Sequence, residues 1–171
     1  IRYSIYEPGG QGWIEQDIHF PYPLYLSHGA AERGEFNVAA DSLGNIHLVY
    51  LDDEEINYSM LSEEIWSEPV NLSDVSGGSD ANFPRIAIDS QDNPHVIWRD
   101  HIMNEYGSGT QVFYRKKTSI FGFPIWSEIK QVGSQAFFWE SSDIQNWDIT
   151  LDELDNAYIA TEFSFSGMAP W

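Results

Sequence analysis

Apolar and polar residues alternate over short stretches of this chain, and three of those stretches are versions of one another. They are Phe36 to Tyr50 (FNVAADSLGNIHLVY), Pro84 to Trp98 (PRIAIDSQDNPHVIW) and Trp147 to Thr161 (WDITLDELDNAYIAT). Each leads through an alternating run into an acidic turn and out into a second run. Asp41, Asp89 and Asp152 coincide, as do Asn45, Asn93 and Asn156. Successive side chains of a strand point to opposite faces, so Phe36, Val38 and Ala40 alternating with Asn37, Ala39 and Asp41 predict a half-buried strand, A. The second run, strand B, is apolar on both faces in Leu48-Val49-Tyr50 and Val96-Ile97-Trp98, which predicts a strand covered from both sides. Between them Asp bonds its own backbone and Gly44 or Asn supplies a positive φ, so a tight hairpin is predicted.

A second series aligns on Tyr3, Tyr58 and Tyr114, in Ile1-Arg2-Tyr3-Ser4, Ile56-Asn57-Tyr58-Ser59 and Val112-Phe113-Tyr114-Arg115. Each is followed by a tryptophan opening another extended run: Trp13-Ile14-Glu15, Trp66-Ser67-Glu68 and Trp126-Ser127-Glu128. These are strands C and D. No stretch carries an apolar stripe at helical spacing, so essentially no helix is expected. The prediction is an all-β chain, a β-propeller of four-stranded antiparallel blades with about three blades' worth of sequence. Residues 1–35 supply strands C–D of a first blade, 36–83 and 84–146 two full blades, and 147–171 strands A–B of a last one. Three blades close too tightly for a ring. The chain is therefore read as a segment of a larger propeller, which Ile1 as an internal start favours, or as half of a dimeric six-bladed ring.

Composition narrows the partners. Eight Lys and Arg stand against 27 Asp and Glu, a formal charge of -19. Such a surface repels nucleic acid and anionic membranes and attracts cations, Ca²⁺ in particular. The absence of cysteine excludes disulfides and thiolate zinc sites. No apolar run is long enough for a membrane-spanning helix.

D-S-x-G-N-x-H followed by an apolar strand B, a tyrosine and then W-S-E-P resembles the repeats of secreted bacterial β-propellers of the sialidase-like (BNR-type) superfamily. The resemblance implies a propeller fold and a secreted or cell-surface protein. It also implies one of several roles: a sialidase-like glycoside hydrolase, a sugar-binding or adhesive module, or a structural repeat of a larger surface assembly. The acidic turn here lies between strands A and B, where sialidases carry S-x-D-x-G-x-x-W between C and D.

Sialidase-type chemistry needs three arginines around a carboxylate and a Tyr–Glu pair. The chain's arginines are Arg2, Arg33, Arg85, Arg99 and Arg115, and the counterparts of Arg85 are Asn37 and Asp148. No catalytic set is assigned. His47 and His95 are equivalent, with Tyr158 in the third copy, and read as packing residues; Trp13, Trp66 and Trp126 read as wedges between blades.

Binding is expected where the copies differ. The A–B turns are short and alike, whereas the D–A links (Ser73 to Phe83, Gly133 to Asn146) and the B–C link (Asp100 to Thr110) are long and dissimilar. Carboxylates beside aromatics there suit carbohydrate or a protein ligand. The candidates are Asp100, His101, Asn104, Glu105, Trp139, Glu140 and Asp143, with Asp74 and Asp80 as candidate Ca²⁺ ligands. The expected function is a non-catalytic binding or adhesion module acting through this D–A/B–C face.

Overall fold

The computed structural model describes residues 2–7, 9, 12–17, 35–52, 54–73, 81–104, 107–121, 123–132 and 142–165. Among them there is no helix, and every strand pairing is antiparallel.

Four sheets follow one another along the chain. Sheet 1 is the hairpin β1 (Arg2–Glu7) and β2 (Gly12–Asp17). Sheet 2 runs β3 (Phe36–Ala40), β4 (Ile46–Asp52), β5 (Glu55–Ser62), then β6 (Ile65–Trp66) and β7 (Val70–Asn71), both on β5. Sheet 3 repeats this with β8 (Asn82–Ile88), β9 (Pro94–Asn104), β10 (Gly107–Ile120), β11 (Phe123–Trp126) and β12 (Lys130–Gln131). Sheet 4 is β13 (Ser142–Leu151) with β14 (Ala157–Phe165). Registers repeat as the sequence does: Val49 faces Tyr58, and its counterpart Ile97 faces Tyr114. Trp13, Trp66 and Trp126 lie opposite Tyr6, Leu61 and Lys117, each three residues beyond the aligned tyrosine.

The fourth strand position is split in both larger sheets for a reason visible in W-S-E. Ser67 Oγ accepts from the Met60 amide at 3.0 Å and Ser127 Oγ from the Lys116 amide at 3.1 Å. A hydroxyl thus replaces the carbonyl a regular strand would offer, and the chain bulges outward before pairing again.

Sheet 3 has a front, towards sheet 2, and a back, towards sheet 4, and the corresponding faces of sheets 2 and 4 take the same names. The back of sheet 2 (Val49, Ile56, Tyr58) lies on the front of sheet 3 (Ile86, Val96, Trp98, Phe113). The back of sheet 3 (Ile97, Val112) lies on Trp147 and Ile149 of sheet 4. β9 is therefore enclosed by a sheet on each face, and the apolar runs of both second strands are buried as predicted: Leu48, Val49, Val96, Ile97 and Trp98 are fully inaccessible. Trp126 acts as the expected wedge, edge-on to Tyr58 across sheets 2 and 3 with centroids 5.0 Å apart. Trp13, by contrast, is 70% exposed.

At one end of the stack the acidic turns form a repeated network. Asp41 Oδ1 accepts from the amides of Leu43 and Asn45, and Oδ2 accepts from Asn45 Nδ2 and His47 Nε2. A carboxylate only accepts, so His47 carries its proton on Nε2 and its Nδ1 accepts from the Tyr58 hydroxyl at 2.8 Å. Asp89, Asn93, His95 and Tyr114 repeat the set, with the Lys116 ammonium 2.7 Å from Asp89. In the third copy Tyr158 donates to Asp152 directly at 3.0 Å.

Neighbouring turns are also clasped together. Ser42 donates through both its amide and its hydroxyl to the Asp92 carboxylate, at 2.8 and 2.7 Å. Ser90 does the same to Asp155. Asp92 and Asp155 occupy the turn position where Gly44 stands in the first copy, and all three have positive φ (62°, 61° and 82°). Glycine takes that conformation freely; the two aspartates take it at some cost, offset by the clasp.

Candidate functional site

The opposite end of the stack carries the B–C hairpins. The expected loop from Asp100 to Thr110 is instead strand on both sides of residues 105 and 106. Asp100–Asn104 pair with Gly107–Gln111 in unbroken register. This corrects the reading of that link as irregular. The sequence gives no signal for this hairpin, because its strands carry no apolar alternation and are joined by the ladder of backbone bonds. β8 ends opposite Arg99, so from Asp100 onward the hairpin stands beyond its own sheet as a two-stranded arm. Ser142–Ile144, expected within a long link, also form strand, paired with Phe163–Phe165.

Two polar groups flank the base of the arm. Arg99 lies on one face. Its Nε donates to Asn82 Oδ1 at 2.6 Å, and its guanidinium sits 4.8 Å from the Phe83 ring centre and 5.5 Å from that of Trp147. Phe83 is held by a bulge between Asn82 and Arg85, with φ at 50°. That conformation is unfavourable for an aromatic residue and is restricted further by the following Pro84. Two bonds fix it: the Phe83 amide donates to Glu35 Oε2 at 2.6 Å, and its carbonyl accepts from Trp147 Nε1 at 3.0 Å. Glu35, just before β3, and Trp147 of sheet 4 thus hold the backbone of this residue of sheet 3.

Asp100 and Gln111 lie directly opposite each other in the ladder, so both project to the other face. They are 2% and 3% exposed, and the neighbouring Thr110 is buried as well. Gln111 Oε1 has no donor among the described residues. A buried acceptor without a donor costs about 1–3 kcal/mol.

Of the residues singled out from sequence, Asp100 is therefore buried at the base of the arm. His101 and Asn104 lie on the β9 side of the arm, and Asp143 lies in β13. Glu105, Trp139, Glu140, Asp74 and Asp80 lie outside the described residues. The sequence places Arg99 only among the arginines that sialidase-type chemistry would need, and marks no ligand role for Phe83, Gln111 or Trp147. The signal that could have found Arg99 is a cation ending an otherwise apolar strand B, where its counterpart is Leu51.

The acidic turns offer a different chemistry, and it is already used internally. Burial raises the Asp41 and Asp89 carboxyls, but hydrogen bonds from Asn45 and His47 on the first, and from Lys116 and Asn93 on the second, outweigh it and hold both below the usual range. Burial likewise lowers His47 and His95 more than their aspartates raise them, so both stay neutral. Among the described residues no group of three or more His, Asp or Glu is placed to hold a metal ion. Arg115 is structural too, donating to Leu72 O in sheet 2 and Ser127 O in its own sheet. An open cleft of about 400 Å³ between the A–B and C–D turns of sheet 2 is lined by Leu43, Gly44, Asn45, Ile46 and Leu61 to Glu64.

Comparison with protein-family models, curated proteins and solved structures gives no match to this chain.

Proposed function

We propose that the chain belongs to a secreted or surface-located β-propeller and acts as a non-catalytic binding module, recognising carbohydrate at the base of the β9–β10 arm. The observation that carries this reading is the buried Gln111 Oε1 beside Asp100, which has no donor among the described residues, with Arg99 stacked on Phe83 and Trp147 on the other side of the same two strands. Sugars present hydroxyl donors and apolar C–H faces together, and pockets with few fixed polar groups among aromatics suit them. The contrast between the two ends supports the assignment: every turn-end aspartate is bonded within the frame, whereas the arm end differs from copy to copy. Adhesion to a surface glycan is the corresponding role, and the charge of -19 leaves Ca²⁺ as an auxiliary ligand to be tested.

A glycan array probed with and without Ca²⁺ tests the proposal. Binding that is lost in Gln111→Ala and Arg99→Ala, with unchanged circular dichroism, is the expected result. No binding in either condition overturns it. Turnover of aryl glycosides would instead favour a sialidase-like hydrolase, and the absence of both would favour a structural repeat.

A further inference from the structure

The two ends of the stack expose part of the faces that its interior buries. On the front of sheet 2, Leu48 and Tyr50 of β4 are buried, but Phe36 and Val38 of β3 are 49% and 48% exposed. Their counterparts are buried against a preceding sheet: Pro84 and Ile86 in sheet 3, Trp147 and Ile149 in sheet 4. On the back of sheet 4, Tyr158 is 57% exposed, whereas His47 and His95 at the same position are 2% exposed under the following sheet. A front of this kind packs on a back of this kind twice within the chain.

The strand pairing is incomplete in the complementary way. Sheet 1 has the register of a C–D pair, with Trp13 opposite Tyr6 as Trp66 is opposite Leu61 and Trp126 opposite Lys117. Sheet 4 has the register of an A–B pair, with Trp147 opposite Thr161 as Phe36 is opposite Tyr50. Among the described residues β1 has no partner but β2, and β14 none but β13.

We propose that a second copy of this chain fills both vacancies: β1 of one copy adds antiparallel to β14 of the other, reciprocally, giving a two-fold dimer of six sheets, each with four strand positions. The register follows from the complete sheets. Tyr58 faces Val49 and Tyr114 faces Ile97, so Tyr3 faces Ala160 of the partner copy. The same placement lays the back of the completed sheet on Phe36 and Val38, so one arrangement satisfies the strand edge and the apolar faces together. The clasp positions at this junction are Glu153 and Gly44, in place of serine and aspartate. Strand addition and apolar burial therefore hold it without the clasp.

Light scattering of the wild-type chain should give twice 19.6 kDa; a monomer at every concentration overturns the proposal. The chain has no native cysteine, so Tyr3→Cys with Ala160→Cys reports the register directly. A disulfide-linked species of twice the chain mass on a non-reducing gel is expected. Monomer mass with the thiols consumed would show β1 closing on its own β14, and monomer mass with free thiols would show no pairing; either result overturns the dimer. Should the double variant fail to fold, the wild-type measurement still decides.

Discussion

Asp89→Asn is the sharpest perturbation of the turn network, because the same aspartate stands in three different environments. The Asp89 side chain is fully inaccessible. An asparagine there still accepts from the Gln91 and Asn93 amides through Oδ1. What changes is the other oxygen, which becomes an NH₂ facing Asn93 Nδ2, His95 Nε2 and the Lys116 ammonium. Removing one member of a buried ion pair costs about 3–5 kcal/mol. Lys116 is 31% exposed and can turn to water, which brings its share towards the ~1 kcal/mol of a surface pair. Adding ~1 kcal/mol for each of the two neutral donors now facing a donor gives a loss of about 3 kcal/mol.

At ~2–4 °C per kcal/mol for a chain of this size, Tm should fall by about 6–12 °C. Asp41→Asn lacks the lysine and should cost about 2 kcal/mol. Asp152→Asn, on the exposed face of sheet 4, should cost least. Urea denaturation of the three variants, followed by tryptophan fluorescence and circular dichroism, gives the order. Equal losses, or the largest loss at Asp152, would refute the claim that burial and Lys116 set the strength of the network.

Other outcomes follow from the same geometry. His47 and His95 titrate lower in the folded chain than in the unfolded one, so the unfolded state binds more protons. Stability is complete above the unfolded pKa of about 6.5 and is lost as pH falls from there through the lowered folded values. His47→Gln with His95→Gln should flatten that slope in thermal melts between pH 7 and pH 5. Glu63 and Glu64 both have positive φ in the β5–β6 turn, at 50° and 65°. Glu64→Gly relieves ~1–2 kcal/mol of strain against ~0.4–1 kcal/mol of added unfolded-state entropy, so Tm should rise by a few degrees. Trp98→Ala removes a fully buried ring between sheets 2 and 3 and should cost about 3–5 kcal/mol in urea.

The parts of this fold legible in the sequence are those written in local periodicity. The apolar runs of β4 and β9 announced strands covered on both faces, and D-S-x-G-N announced its hairpin. The arm was not legible, because D-H-I-M-N and G-S-G-T carry no alternation and their pairing rests on backbone bonds. The clasps join residues 50 and 65 positions apart. Their only sequence trace is a serine after the aspartate in two copies and a second aspartate in the next copy, a pattern that means little until neighbouring turns are adjacent. Of the candidate site, Asp100 was found as an acid in a variable link. Arg99, Phe83 and Trp147 come together only because sheets 3 and 4 meet there, and no single-strand pattern reports such a meeting.

Successive repeats lying side by side, turn against turn, can be read with paired thiols in this cysteine-free chain. Ser42→Cys with Asp92→Cys, and separately Ser90→Cys with Asp155→Cys, should each form an intramolecular disulfide under mild oxidation, while Ser42→Cys with Asp155→Cys should remain reduced. Failure of both neighbouring pairs to close, or equally ready closure of the distant pair, would contradict the stacking order.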